Sequence, residues 1–258
     1  MLSLQNTRYF SVARKKHIEQ NATSPGSFST INTPINYLRP VSKERNVRTN
    51  VVGIFMSTST GNTDQAAECI RKHLVSHTIN HANLIHPTST TCAEIDATSF
   101  SQISQNVETS VVFDVGDVQV KDMKAYTGLV VGAPTWNTGS DTMRSGTCWD
   151  DVLEDIRALD LKDKKVAVFG LGDSSHFSEN FCDAIEEIHD TFATTGAEMI
   201  GYVAVKGTNE IHRYTFDHSE AVRDDKFLGL PLDEDNEFDY TESRVKGWTK
   251  QLIHEGLQ

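Results

Sequence analysis

Three short stretches of this chain carry residue types that suit one chemistry. The first is Ser57-Thr58-Ser59-Thr60-Gly61-Asn62-Thr63, where hydroxyls, a glycine and backbone N–H groups precede a helical pattern. A helix N-terminus has unpaired donors and a partial positive charge, so this stretch suits a phosphate. It lacks the Gly-Lys-Ser/Thr ending of a Walker loop and the G-x-G-x-x-G dinucleotide fingerprint. It also holds no Lys or Arg, so an anion would meet neutral donors. An ordinary Ser/Thr helix cap is the alternative reading.

The second stretch is Pro134-Thr135-Trp136-Asn137-Thr138-Gly139, in which a Trp in a polar loop offers a flat face to an aromatic ligand. A Trp folded back on the core is the alternative. The third runs from Gly170 through Gly172, Asp173, Phe177 and Glu179 to Asn180. Its glycines let backbone approach a ligand, and Phe177 offers a second aromatic face. Glu179 and Asn180 also fit as helix caps. Together the three stretches suit a flat aromatic phosphomonoester.

The elements that must position these loops are legible from periodicity. Apolar runs at 50–56, 129–133, 165–170 and 199–205 read as buried strands, with 111–113 as one more. Residues 64–75, 181–192 and 243–253 place apolar side chains at helical spacing. Strands alternating with helices predict an α/β fold, a doubly wound parallel sheet with helices on both faces. Continuously apolar strands agree, because both of their faces are covered. In such sheets ligands bind beyond the carboxyl ends of the strands, and all three stretches directly follow a strand.

Composition bounds the rest. The 258 residues are 38% hydrophobic and 23% charged, which excludes collagen-like, disulfide-dense and wholly disordered classes. No apolar run is long enough to span a membrane. That absence argues against membrane insertion, and the net charge of −12 argues against nucleic acid and anionic membrane as main partners. That charge is uneven: residues 1–48 hold eight basic and two acidic side chains, leaving −18 on residues 49–258. Residues 1–16 contain no acid, and Arg8-Tyr9-Phe10-Ser11 resembles a presequence processing site. Residues 1–48 therefore read as an organelle transit segment, chloroplast or mitochondrial, with a disordered basic tail as the alternative. Cys69, Cys92, Cys148 and Cys182 include no C-x-x-C pair and read as reduced thiols. Residues 76–108 read as an extended polar loop, with His77, His81 and His86 solvated rather than metal-bound.

In order along the chain, Thr58-Ser59-Thr60-Gly61-Asn62-Thr63, Ala133-Pro134-Thr135-Trp136-Asn137, Gly170-Leu171-Gly172-Asp173, Asn180-Phe181, and the stretch from Ala221 to Asn236 resemble the flavodoxin family. The resemblance runs from about Val51 to Gln258 and is to the long-chain branch. It implies a five-stranded sheet of order 2-1-3-4-5, bound FMN and a low-potential one-electron carrier that acts in place of ferredoxin. It further implies that residues 58–63 meet the phosphate, that Trp136 and Phe177 stack on the ring, and that the Asn137–Thr138 peptide faces the flavin N5. Residues 207–230 correspond to the long-chain insertion. Implied partners are redox proteins with basic docking surfaces, such as a ferredoxin–NADP reductase or photosystem I, met by a monomer. Phe177 stands where the family usually has Tyr, and Met56 where an aromatic is frequent. The rival on the same fold is an FMN-dependent NAD(P)H–quinone reductase. That enzyme needs a substrate pocket over the flavin, and His176 alone does not announce one. A flavin-free interaction module is the third reading.

Overall fold

The computed structural model describes residues 51–85, 110–207 and 213–257, all within one unit, Val47–Gln258. The basic segment 1–48, together with His86 and Cys92, lies outside them. The apolar runs become parallel strands: β1 (Val52–Met56), β2 (Val111–Asp114), β3 (Gly128–Pro134) and β4 (Lys165–Leu171). β1 lies between β2 and β3, and β4 follows β3 in a seven-residue register from Gly128↔Lys165 to Pro134↔Leu171. The fifth position is shared. β5 (Glu198–Ile200) pairs with Lys165–Ala167, and β9 (Leu230–Leu232) pairs with Phe169–Leu171. The order β2-β1-β3-β4-β5 is the expected one.

Alternation along each strand supplies both faces of the sheet, since successive side chains point to opposite sides. Phe55, Leu129, Val131, Val166 and Val168 pack on one face. That face is covered by α2 (Trp149–Arg157) and α3 (Ala184–Thr194) through Trp149, Ile156, Ile185 and Phe192. Ile54, Met56, Val130, Ala167 and Phe169 occupy the other face. There α1 (Asn62–Ile85) contributes Ala67, Ile70 and Leu74, and α4 (Phe238–His254) contributes Val245, Trp248 and Leu252. Burial of one such aliphatic side chain stabilises by about 1.5–3 kcal/mol.

Four expectations are corrected in detail. α1 continues to Ile85, so the first ten residues of the connection expected at 76–108 are helical. The helix expected from residue 181 starts at Ala184, because 181–183 form a turn with Cys182 at a φ of 58°. The helix α2 was not anticipated: its core face holds only Trp149, Leu153 and Ile156, and four of the six residues from 150 to 155 are acidic. The apolar run 199–205 is two strands in two sheets. Gly201 turns the chain out at a φ of 82°, and a Cβ there would lie 2.7 Å from Leu252 Cδ2. The chain then enters a small antiparallel sheet, β6 (Val203–Ala204), β8 (Lys226–Phe227) and β7 (Val222–Arg223), before returning as β9. The interruption expected at 207–230 thus begins at Gly201. Arg244 of α4, 1% exposed, ties this excursion down: its guanidinium lies 4.3 Å from the Tyr214 ring centre and 2.7 Å from Glu237.

Candidate functional site

The carboxyl ends of β1, β3 and β4 are held level by their register, so the loops after them share one edge. After β1, the Ser57 N–H donates to the Gly132 carbonyl at 3.3 Å, fixing where the loop departs. Thr58 Oγ1 accepts from the Gly61 N–H at 2.9 Å and folds the loop into a tight turn. Gly61 has a φ of 97°, and the space beside its Cα is open to 4 Å. The first helical bond runs from Gln65 N–H to the Gly61 carbonyl. The amides of Asn62, Thr63 and Asp64 therefore precede the helical ladder, as at any helix start. Ser59 and Thr60 are exposed, Asn62 is half-buried and Thr63 is buried. The loop thus gathers neutral donors at a helix start.

After β3, Thr135 serves the scaffold: its N–H donates to the Leu171 carbonyl, and its Oγ1 accepts from Ala184 N–H at the start of α3. Trp136 stands 51% exposed. Asn137 closes the loop beyond it, its N–H donating to the Arg144 carbonyl and its Nδ2 to the Met143 carbonyl at 2.5 Å. The Asn137 carbonyl accepts from Ser140 N–H at 3.2 Å, which leaves one lone pair. Thr138 is half-buried, and Gly139, at a φ of 73°, approaches the Asn180 side chain. Met143 and Arg144 N–H groups each donate to the Glu187 carboxylate at 2.8 Å, pinning the loop to α3.

After β4, Gly172 N–H donates to the Leu232 carbonyl, and a Cβ at Gly172 would meet Cys182 N at 2.8 Å. The Asp173 carboxylate knots the loop together. It accepts from the N–H groups of Ser175 and His176, from the His176 ring at 2.7 Å and from Asn236 at 2.9 Å. Burial pushes this carboxyl upward, but those hydrogen bonds outweigh it and hold it down to about 2. The Asp173 carbonyl accepts from Phe177 N–H, and Phe177 stands 50% exposed. Glu179 is exposed, and Asn180 donates to Asp183 rather than capping α3 directly.

The hydroxyl loop and the two half-exposed aromatics thus occur on loops of one sheet edge, and Thr135 of the second loop holds the start of α3 through Ala184. Two contributors carry no local sequence signal. Gly146 packs so closely that a Cβ there would lie 2.7 Å from Trp136 Cβ, which sets that side chain's seat. Asp233, fully buried after β9, accepts from Ser174 and Asn236 and anchors the Asp173 loop from below. The acidic run after the apolar β9 marks that position only as a turn.

The profile described as Flavodoxin matches residues 88–248. A flavodoxin of Nostoc sp. is 32% identical over 204 residues, covering 79% of this chain and 96% of the relative. Flavodoxin 1 of Escherichia coli is 30% identical over 207 residues, covering 80% and 94%. Among solved structures, Fusobacterium nucleatum flavodoxin bound to flavin mononucleotide aligns with a TM-score of 0.60 at 22% identity, covering 80% of this chain and 98% of that one.

Proposed function

The chain belongs to the flavodoxin family, and from that premise we propose that it binds FMN and carries single electrons at low potential between redox proteins. The observation that carries this reading is the shared sheet edge. An open, positive-φ Gly61 in a hydroxyl loop at a helix start lies on the same edge as two aromatic side chains, each half-exposed. The relatives' name and the FMN in the Fusobacterium nucleatum structure support the choice of ligand.

The residues present fit the group. Thr58, Ser59, Thr60, Asn62, Thr63 and the first-turn amides would hold the phosphate without a cation. Trp136 and Phe177 would hold the ring and exclude water from it, and the Asn137–Thr138 peptide would meet its polar edge. Phe177 supplies a face but no hydroxyl. FMN, when bound, supplies reversible one-electron chemistry. The protein tunes it: the charge of −18 on residues 49–258 opposes added negative charge at the site and keeps the potential low. The same charge favours docking on basic partner surfaces, chiefly by faster encounter. A ferredoxin–NADP reductase or photosystem I is the kind of partner proposed. The protein acts as a monomer in place of ferredoxin, and residues 1–48 act as a transit segment into an organelle.

Redox titration followed by visible spectroscopy tests the reading on the full chain. One FMN per chain is expected, without FAD, with two separated one-electron steps. Reduction by a ferredoxin–NADP reductase should slow steeply with salt, since the Debye length shrinks from ~10 Å at 0.1 M to ~3 Å at 1 M. Fast, salt-insensitive NAD(P)H–quinone turnover by the purified protein would refute the carrier and favour the reductase.

A further inference from the structure

A second group of chemically competent side chains lies on the helical layer, away from the three loops. Cys69 and His73 stand one turn apart on α1, so both project from the same face. Glu242 reaches them from α4. Its Oε2 lies 3.0 Å from Cys69 Sγ, and its Oε1 lies 2.7 Å from His73 Nε2. The three donor atoms all fall within 4.8 Å of one another. Cys69 is roughly 10 Å along the α1 axis from Asn62, at 1.5 Å of rise per residue.

We propose that Cys69, His73 and Glu242 form a zinc site that clasps α1 to α4. A thiolate, an imidazole and a carboxylate are the ligand types that Zn²⁺ takes. Metal–ligand lengths of about 2.0–2.3 Å in a tetrahedron place donor atoms roughly 3.3–3.5 Å apart. The two contacts of Glu242, at 3.0 and 2.7 Å, are shorter than that spacing, and the 4.8 Å limit on the three donor atoms leaves room for it. Adjustment falls on Glu242, whose side chain is 72% exposed and can swing without disturbing the core. His73 is largely covered, which fixes its ring in place. The fourth position is left to water. On binding, the Sγ–H bond is replaced by Sγ–Zn and the proton passes to solvent, so no oxidant or reductant is involved. Apart from a metal, the same geometry serves as a hydrogen-bonded clasp, in which Glu242 accepts from the thiol and pairs with the ring.

Titration of the chelator-stripped full chain with ZnCl₂ and with CoCl₂ separates the two. One zinc per chain is expected, and Co²⁺ should produce a thiolate-to-cobalt charge-transfer band in the near ultraviolet. Cys69→Ser should abolish the band. His73→Ala and Glu242→Gln should each weaken zinc binding by at least about tenfold, as disturbance of a metal site does. Zinc should also raise the thermal midpoint of the wild type and not of Cys69→Ser. Absence of the band, or its persistence in Cys69→Ser, would overturn the proposal, the latter because the thiolate then lies elsewhere on the chain. Should Cys69→Ser fail to fold, Glu242→Gln, an exposed helix position, decides: unchanged zinc affinity there refutes the site.

Discussion

Replacing Trp136 by Ala tests the assignment of one wall of the FMN site. The side chain is 51% exposed, so about half of its surface is available to a ligand. A Trp buries ~150–250 Å² when fully covered. Half of that is ~75–125 Å², worth roughly 2–3 kcal/mol at ~25 cal/mol per Å² if the ring covers all of it. Stacking adds about 0.5–1.5 kcal/mol. A flat partner covers one face only, so we take about 2–4 kcal/mol, a loss of roughly 30- to 1,000-fold in affinity. The fold should tolerate the change to within about 0.5 kcal/mol, because the side chain is a half-exposed loop residue and the loop is held by Asn137 and Glu187 instead. Fluorescence titration of the FMN-free protein, with FMN quenched on binding, measures the dissociation constant. Parallel urea unfolding without FMN measures the fold. A dissociation constant within about threefold of wild type would refute the seat assigned to Trp136. Weak binding together with a shifted urea midpoint would refute the claim that the loop stands without it.

Thr63→Ala should weaken FMN by roughly ten- to a hundredfold, the value of a hydrogen bond to a charged group, and barely change riboflavin binding. Equal losses for both ligands would assign Thr63 to the fold. Asp173 has a carboxyl lowered from 3.8 to about 2, so it contributes stability that is fully present above about pH 4 and is lost as pH falls through 2. Its side chain is only 17% exposed, and after solvent screening the contribution is at most about 2 kcal/mol. Asp173→Asn should therefore be less stable at pH 7, with the gap to wild type closing between pH 4 and 2 in acid-unfolding curves; a gap independent of pH would contradict the hydrogen-bonded carboxylate. Gly132→Ala should cost about 1–3 kcal/mol or more in urea unfolding, since the added methyl would sit 2.0 Å from Phe169 Cζ in the core.

Local sequence determined the layered plan of this protein. The runs around Ile54, Val130 and Ala167 are apolar at every position because each strand is covered on both faces, and that requirement is written into single residues. Helical spacing at Ala67, Ile70 and Leu74, and at Val245, Trp248 and Leu252, is equally local. The loop chemistry followed from the same rule, since a parallel sheet brings loops after successive strands to one edge. Other features depend on residues far apart in the chain. The run at 199–205 has no signal for the point where it leaves the sheet; Gly201 and its approach to Leu252 and Trp248 decide it. α2 shows a narrow apolar stripe, and only packing of Trp149 beneath Gly132 reveals it, through a 2.8 Å hydrogen bond from the indole. The hydrogen bond that Asp173 accepts from Asn236, 63 residues away, has no signal in the local sequence. Glu242 joins Cys69 and His73 across 173 and 169 residues. Periodicity is a property of the backbone of one element, whereas a site assembled from two elements exists only after both have been packed on the same sheet.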